Sequence, residues 1–364
     1  MSIQTIEPAY HPNQRMSLLL DWLVTLKCNY NCSYCPPDDT GHDNSIPHPA
    51  VGPSLLMIDQ MYEYADILMS HKKEASKSVI MQLRGGEVIY HPGVIELMKH
   101  TSEKYQQYKD RWRLKRRLTT NGTATEKSWR LICEHVEGVT MSYHSQGAEK
   151  LKKMFRNNLL YLGEIKKEHD TIVCMYPHAD HWNDCIEFLR WAKEKGVNAR
   201  PRLLDGPLGM YGKQHLADLG EFIDPVELMG WKHNTRAGLQ TRACCGGRKV
   251  CFDRQLRKTN TLVPRGPDGF KGWHCSANQF FLFGNNITGK YFTNRDCHVK
   301  VDGTTGHIAD INTMPDYIAN MKKQQQLPTL VCAQTRCVCG TCAPKSVSPD
   351  TLKEIMQIYN TVAN

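Results

Sequence analysis

Short β-rich runs alternate with amphipathic helical stretches from residue 18 to residue 204, and this alternation constrains the fold more than any other feature. Six runs rich in apolar and β-branched residues are predicted to be strands: 18–26, 79–83, 118–120, 139–143, 171–176 and 198–203. Five amphipathic stretches between them are predicted to be helices: 55–69, 93–108, 125–135, 148–164 and 182–195. This pattern indicates an α/β fold with a parallel sheet, whose functional residues gather at the carboxyl ends of the strands.

The chain has 364 residues, 15 cysteines and a net charge of +9. No run approaches the ~20 apolar residues that cross a membrane, and the first residues lack a charged head followed by an apolar stretch. The sequence therefore predicts a cytoplasmic protein without a membrane span. In a reducing compartment so many cysteines indicate metal or cluster ligation rather than disulfides. Cys133, Cys174 and Cys185 lie in apolar segments and are expected to be buried packing residues.

A C-x3-C-x2-C motif, formed by Cys28, Cys32 and Cys35, directly follows the first predicted strand. Three thiolates on one tight loop can hold three irons of a [4Fe–4S] cube and leave the fourth iron open. An open metal position can bind a substrate or a cofactor. A zinc loop is the alternative, but His42 and His48 are poorly placed to supply the fourth ligand that zinc prefers.

The motif, with Tyr34 before its last cysteine, resembles the radical S-adenosylmethionine (SAM) superfamily. Three motifs at later strand ends extend the resemblance over residues 18–204: Gly85-Gly86-Glu87, Thr119-Thr120-Asn121-Gly122 and Ser142-Tyr143-His144. The resemblance implies a partial (β/α)6 TIM-like barrel with a catalytic [4Fe–4S] cluster on the three cysteines. In this family an electron from the reduced cluster cleaves SAM, and the resulting 5′-deoxyadenosyl radical abstracts a hydrogen from a substrate carbon.

The resemblance also implies the SAM site. Glycines in the second motif let the backbone approach the ligand, and Glu87 can pair with the ammonium group of SAM. The residues expected to contact SAM are Tyr34, Gly85, Gly86, Glu87, Asn121, Ser142, His144 and Arg156. Arg156 would contact the SAM carboxylate, and an ordinary helix-surface arginine is the alternative at that position.

Nine cysteines crowd the last third of the chain: Cys244, Cys245, Cys251, Cys275, Cys297, Cys332, Cys337, Cys339 and Cys342. A loop-rich region with many cysteines is usually stapled by metal. Alternating aromatics and Gly289 predict a hairpin between the fourth and fifth of these cysteines. Helices are predicted at 314–322 and 350–362.

This order resembles the SPASM/twitch extension of radical SAM enzymes, which houses one or two auxiliary [4Fe–4S] clusters. The ligands that the resemblance implies are Cys275, Cys297, Cys339 and Cys342, with Cys245, Cys251, Cys332 and Cys337 as further candidates. The final C-x4-C-x1-C-x2-C departs from the family spacing, and a structural zinc ribbon from Cys337 to Cys342 is the alternative. Cys244 is a candidate thiol for hydrogen donation to a substrate radical, or it is idle.

The predicted organisation is an N-terminal extension (1–17), the barrel (18–204), a connecting segment (205–240), an auxiliary-cluster domain (241–345) and a C-terminal helix (346–364). The SPASM/twitch resemblance implies a peptide substrate that is crosslinked, epimerised or oxidised, with a small sugar-type metabolite as an alternative. It also implies an electron donor such as flavodoxin or ferredoxin.

A basic run at 109–117, which contains Trp112, favours a different substrate. Such a run can contact a phosphate backbone while the indole stacks on a base. Radical modification of a nucleobase or a nucleic-acid-linked group is therefore an alternative, and a solvated connection between two elements is the purely structural one. A non-catalytic Fe–S or zinc-binding module is a third hypothesis, against which the intact cysteine triplet counts.

Overall fold

The computed structural model describes residues 5–6, 17–35, 42–72, 77–165, 170–202, 204, 211–223, 270–295, 298–324, 327, 329–333 and 343–361. The strands are β1 (Thr5–Ile6), β2 (Leu18–Thr25), β3 (Ser78–Gly85), β4 (Arg113–Thr120), β5 (Gly138–Tyr143), β6 (Asp170–Met175), β7 (Ala199–Pro201), β8 (His274–Cys275), β9 (Phe281–Asn285), β10 (Lys290–Phe292), β11 (Ala309–Asp310), β12 (Leu330–Val331) and β13 (Lys345–Ser346). The helices are α1 (Val51–Ser70), α2 (Val94–Tyr105), α3 (Glu126–Cys133), α4 (Glu149–Ile165), α5 (Trp182–Glu194), α6 (Lys213–Leu219), α7 (Met314–Lys322) and α8 (Pro349–Thr361).

Strands β2 to β7 pair in chain order, and every pair is parallel. Parallel neighbours need a crossover connection, which helices α1 to α5 supply. The six predicted strands and five predicted helices are confirmed, with shifted ends. The largest shift is in β4, which begins at Arg113, so much of the basic run belongs to a strand.

One face of these strands, called the outer face here, packs against the helices. On β2 the alternate residues Leu18, Leu20, Trp22 and Val24 have no exposed surface. Successive side chains of a strand point to opposite faces, so the residues between them lie on the opposite, inner face. Burial of apolar surface on the outer face holds the sheet and helices together.

Three further strands extend the large sheet to nine, where the alternation pattern predicted six. Strand β9 pairs in parallel with β2, with Phe281 opposite Leu19, and β10 and β11 follow in antiparallel order. The predicted hairpin is thus present, with Gly289 at φ +65° in its turn, but it belongs to the main sheet. Without β9, strand β2 would be an edge with unpaired backbone groups, and such edges are usually covered.

The remaining four strands form a second sheet in the order β1-β13-β8-β12. Thr5 of β1 lies opposite Ser346 of β13, so the two ends of the chain meet here. Helix α8 packs against this sheet through Leu352 and Met356. No helix among the described residues combines the length and the hydropathy needed to cross a membrane.

Candidate active site at the carboxyl ends of the parallel strands

The cysteine motif lies on the loop that directly follows β2. Three N–H groups point at its sulfur atoms. The Tyr30 backbone N–H lies 3.4 Å from Cys28 Sγ, and Asn121 Nδ2 lies 3.7 Å from the same atom. The His42 backbone N–H lies 3.2 Å from Cys35 Sγ. Such donors stabilise the thiolate form, which is the form that binds iron.

The thiols are close enough to disfavour each other's ionisation. Burial raises the pKa of Cys28 to about 12 and that of Cys32 to about 11, and the charge on neighbouring cysteines, including Cys35, adds to both rises. Bound metal ions reverse this, because coordination deprotonates a thiol outright. The donor set therefore fits a cluster of positively charged irons.

Among the residues that the structure describes, no three His, Cys, Asp or Glu side chains are arranged to hold one metal ion. Zinc needs its ligands to converge on one point, whereas the irons of a [4Fe–4S] cube are bound separately by their cysteines.

The pair Gly85 and Gly86 brings the end of β3 against the backbone that leads into the cysteine loop. Gly86 N–H donates to the Thr25 carbonyl at 2.9 Å, and Glu87 N–H donates to the Lys27 carbonyl at 2.8 Å. A Cβ on Gly86 would lie 2.5 Å from the Lys27 oxygen, and one on Gly85 would lie 2.1 Å from the Thr25 oxygen. This contact between two backbones requires glycine. From the sequence, the two glycines were expected to let the backbone approach SAM.

The Glu87 carboxylate is buried and links the ends of β3 and β4. Its Oε1 accepts from Ile89 N–H at 3.0 Å and from the Thr120 hydroxyl at 2.9 Å, and its Oε2 accepts from Asn121 N–H at 2.6 Å. Burial raises the pKa of Glu87 to about 7, because these hydrogen bonds offset only part of the lost hydration. A carboxylate oxygen has two lone pairs, so Oε2 can accept one more donor.

The turn after β4 is fixed by a glycine and by a side chain of α4. Gly122 has φ +76°, a conformation that favours glycine. Asn158 donates to the carbonyls of Gly122 at 2.8 Å and Ala124 at 2.7 Å. The turn thereby presents Asn121, whose Nδ2 lies 2.7 Å from Asn29 Oδ1 on the cysteine loop.

Three rings lie between the cysteine loop and the ends of β5 and β6. The Tyr34 hydroxyl is 2.6 Å from His144 Nδ1. The Tyr34, His144 and Tyr176 rings have their planes 11° to 29° apart and their centres 5.9 to 6.1 Å apart. Burial lowers the pKa of His144 to about 4. The imidazole is therefore neutral at neutral pH and can accept a hydrogen bond from the Tyr34 hydroxyl. Ser142 is hydrogen-bonded to Tyr176. Three expected SAM contacts thus come together.

Sequence reasoning missed two residues that anchor the cysteine loop. Gln146 Oε1 accepts from Ser33 N–H at 2.8 Å, and Gln146 Nε2 donates to Ser33 Oγ at 2.8 Å. His178 Nε2 lies 3.4 Å from Ser33 Oγ. Each lies three residues beyond a strand end, β5 for Gln146 and β6 for His178. Their position just after strand ends was the sequence signal that could have identified them.

Arg156 is paired within the helix layer. Its Nη2 lies 3.1 Å from Glu187 Oε1, and its guanidinium carbon lies 5.4 Å from the centre of the Trp191 ring. Both partners are on α5. An ion pair and a ring face occupy this guanidinium, so we leave Arg156 out of the proposed SAM site.

Most candidate ligands of auxiliary clusters lie outside the described residues: Cys245, Cys251, Cys297, Cys337, Cys339 and Cys342. The candidate hydrogen-donating thiol, Cys244, also lies outside them. Cys275 and Cys332 are described, and both are buried. Strands β8 and β12 pair with Leu330 opposite Cys275, so Cys332 lies two residues beyond that partner. Cys275 therefore lies in β8, and Cys332 lies directly after β12, where its N–H donates to the Trp273 carbonyl at 2.7 Å.

The basic run is exposed at Lys109, Arg111 and Arg113, but its aromatic residue is not. Trp112 is 2% exposed and donates from Nε1 to Asp66 at 3.1 Å. A buried indole cannot stack on a base. Arg116 is also buried and forms an ion pair with Glu137 on the outer side of β4. The inner face of β4 carries the alternate residues Arg113, Lys115 and Arg117.

No protein-family model matches the chain, and no curated protein is similar to it in sequence. Its three-dimensional structure is similar to that of anSMEcpe with bound AdoMet (16% identity, 85% of this chain and 78% of that chain, TM-score 0.46). It is also similar to Streptococcus suis SuiB bound to S-adenosylmethionine (12% identity, 82% and 64%, TM-score 0.48). BtrN in complex with AdoMet and 2-DOIA is a third example (11% identity, 86% and 84%, TM-score 0.36).

These similar structures are radical SAM enzymes, and AdoMet is bound in several of them. Structures of anSMEcpe also contain the Cp18Cys and Kp18Cys peptides.

Proposed function

We propose that this protein is a radical SAM enzyme. The observation that carries the proposal is the loop with Cys28, Cys32 and Cys35, because its thiols receive N–H donors and lie beside the Gly85-Gly86 turn and Asn121. Four motifs in chain order at four neighbouring strand ends support it further. Convergence at the carboxyl edge is where parallel sheets hold their reactive groups.

The three cysteines hold the [4Fe–4S] cluster, which supplies, together with SAM, the electron and the 5′-deoxyadenosyl radical that abstracts hydrogen. Glu87 pairs with the SAM ammonium through Oε2, and Asn121 and Ser142 line the same space. The ring layer of Tyr34 and His144 excludes water from it, which protects a reactive species.

The finer architecture belongs to the same proposal. Strands β2 to β7 curve into a partial (β/α)6 TIM-like barrel around the inner face. The C-terminal region, 241–345, holds one or two auxiliary [4Fe–4S] clusters in a SPASM/twitch-like domain, and Cys275 and Cys332 contribute ligands. The proximity of β8 and β12 supports this pair. A flavodoxin or a ferredoxin supplies the electrons.

We infer that the substrate is a peptide. Burial of Trp112 removes the aromatic that was expected to stack on a nucleobase, and this weakens the nucleic-acid alternative. Hydrogen abstraction from a peptide carbon leads to a crosslink, an epimerisation or an oxidation.

Iron content and SAM cleavage test the enzyme proposal. The full chain is reconstituted anaerobically as wild type, as the triple alanine variant of Cys28, Cys32 and Cys35, and as Cys133→Ala. Cys133 is a buried cysteine of α3 on the outer side and is the matched control. We expect the triple variant to lose about four irons per chain and the control to lose none.

The cleavage arm uses Cys32→Ala. We expect it to produce no 5′-deoxyadenosine from SAM after reduction, while any auxiliary iron remains. Zinc in place of iron in the wild type, or unchanged SAM cleavage by Cys32→Ala, would contradict the proposal and favour a structural metal module.

A further inference from the structure

The inner face of the parallel strands is rich in cations. Residues that alternate with the core residues carry their side chains on this face. Its cations, including one just beyond β7, are Arg84, Arg113, Lys115, Arg117, Arg200 and Arg202. Asp21 is the carboxylate among the described side chains of this face, and it accepts a hydrogen bond from Arg84 Nε. The described side chains of this face therefore carry more positive than negative charge.

One of these cations, Arg200, lies in register with a residue of the proposed SAM site. Ser142, Cys174 and Arg200 are partners across β5, β6 and β7. Neighbouring strands are ~4.8 Å apart, so this row places Arg200 about 10 Å from Ser142. Arg117 is the partner of Gln82 nearer the amino ends of the strands.

Arg200 is the strand partner of Cys174, and the Arg202 backbone N–H donates to the Met175 carbonyl at 2.7 Å. The charge of Arg117 also reaches the Cys174 thiol. Burial raises the pKa of this thiol, and the charges of Arg202, Arg200 and Arg117 act against that rise. Arg202 is also hydrogen-bonded to the sulfur. The three cations therefore act on one point of the inner face, although they come from β4 and from the β7 end of the sheet.

A chain of contacts leads from this point to the cysteine loop. Arg202 is hydrogen-bonded to Tyr176, and the Tyr176 ring stacks on Tyr34 with centres 6.1 Å apart. Tyr34 is in turn hydrogen-bonded to Cys32. One ring layer thus separates Arg202 from the loop of the proposed catalytic cluster, so a substrate group bound by Arg202 would lie close to the reacting carbon.

We propose that Arg117, Arg200 and Arg202 bind a carboxylate of the substrate. The substrate would be a peptide segment with an acidic residue next to the residue that reacts. This proposal rests on the radical SAM function proposed above. Guanidinium groups match carboxylates with two parallel N–H···O bonds. Several such cations in one place also raise the local concentration of an anionic substrate.

Two observations favour a carboxylate over the phosphate of a nucleotide. Glycine-rich turns bind phosphate with backbone N–H groups, but here the N–H groups of Gly86 and Glu87 donate to the carbonyls of Thr25 and Lys27 at 2.9 and 2.8 Å. In addition, Trp112 is buried and offers no surface on which a base could stack.

Fluorescence anisotropy of the anaerobically reconstituted full chain tests the preference. The probes are a labelled peptide of alternating Glu and Gly, the same peptide with Gln in place of Glu, and labelled oligo-dT. The variants are Arg117→Gln and the double variant Arg200→Gln/Arg202→Gln. Arg190→Gln is the matched control, because Arg190 is an exposed arginine of α5 that pairs with Glu221.

We expect the double variant to bind the acidic peptide about tenfold more weakly than the wild type. Arg117→Gln should weaken it in the same direction, and Arg200→Lys/Arg202→Lys should restore most of the affinity. The Gln peptide and the Arg190→Gln variant should show no change. The preference for Glu over Gln should decrease as salt is added, because salt screens exposed charges.

Equal affinity of the wild type for the Glu and Gln peptides would overturn the proposal. So would tighter binding of oligo-dT that depends on the same arginines. SAM cleavage on the same preparations separates the two claims. Cleavage without a preference for the acidic peptide rejects the carboxylate site alone, whereas arginine-dependent peptide binding without cleavage rejects the radical SAM function alone.

Discussion

The outer face of the large sheet and the carboxyl edge of its strands are held by different interactions. On the outer face, Leu20 and Trp22 of β2 and Phe188 of α5 are fully buried among apolar neighbours. At the carboxyl edge, Glu87 is just as buried but accepts three hydrogen bonds. Gly86 there allows one backbone to contact another.

This difference predicts how substitutions on the outer face and at the carboxyl edge affect the protein. Apolar burial is non-directional, so its loss scales with the area and volume removed. Hydrogen bonds and close glycine contacts depend on direction and distance. A substitution that adds or removes one atom can therefore disorganise the carboxyl edge, although the protein keeps much of its free energy of unfolding. Substitutions on the two regions should therefore separate stability from site organisation.

The largest effect is expected for a truncation on the outer face. Leu20→Ala should reduce the free energy of unfolding by about 2–5 kcal/mol, because it leaves a cavity in the core. Leu19→Ala on the inner face is the matched control, since Leu19 is only partly buried. Urea unfolding of both variants measures the effect, and a Leu19→Ala loss equal to that of Leu20→Ala would erase the contrast between the faces.

At the carboxyl edge, we expect Glu87 to make the free energy of unfolding depend on pH by about 3 kcal/mol. Burial raises the Glu87 pKa from 4.5 to about 7, so the folded state binds a proton more tightly than the unfolded state. The contribution of Glu87 to stability is complete below pH 4.5 and is lost as the pH rises through 7. Glu87→Gln should remove this pH dependence.

Urea unfolding of the metal-free chain at several pH values measures it. Glu194→Gln, an exposed position of α5, is the control and should keep the wild-type slope. Equal slopes for wild type and Glu87→Gln would mean that the edge carboxylate does not titrate in this range.

Adding a methyl group to the edge should cost about 1–3 kcal/mol. In Gly86→Ala the new Cβ would lie 2.5 Å from the Lys27 oxygen, so the backbone before the cysteine loop must shift. We expect reconstituted iron content to fall with it. Gly163→Ala in α4 is the control, because its Cβ would have no atom within 4 Å, and it should stabilise the helix by up to ~1 kcal/mol.

The smallest effect is expected for Arg156→Gln. Its ion pair with Glu187 lies in the helix layer, and such pairs contribute at most about 1 kcal/mol. SAM affinity, measured by equilibrium dialysis on the reconstituted protein, should not change. A clear loss of SAM affinity would bring this arginine back into the proposed site.

Much of the fold was predictable because the signals are local. The alternation of strands and helices, the helix Met314–Lys322 and the hairpin turn at Gly289 all follow from patterns within short windows. The partner of β2 was not predictable in this way, because Leu19 and Phe281 are far apart in sequence. Long-range strand pairing depends on which exposed edge needs cover.

The candidate site likewise contains residues that could be identified from the sequence and residues that could not. Spacing alone singled out Cys28, Cys32 and Cys35, and the resemblance of Gly85-Gly86-Glu87 to a family motif singled out Glu87. Gln146 was missed because a glutamine after a strand has no distinctive motif, and its role depends on the position of Ser33 in space.

The sequence by itself determined the order of elements and the loop on which three cysteines lie together, since periodicity and close spacing act over a few residues. Only the tertiary structure decided that the basic run splits between two faces of β4, with Trp112 and Arg116 buried on one and Arg117 on the other. Only the tertiary structure placed Arg200 opposite Cys174 and in the same row as Ser142. The physical reason is that burial and the pairing of charges depend on neighbours distant in the chain, which local patterns do not specify.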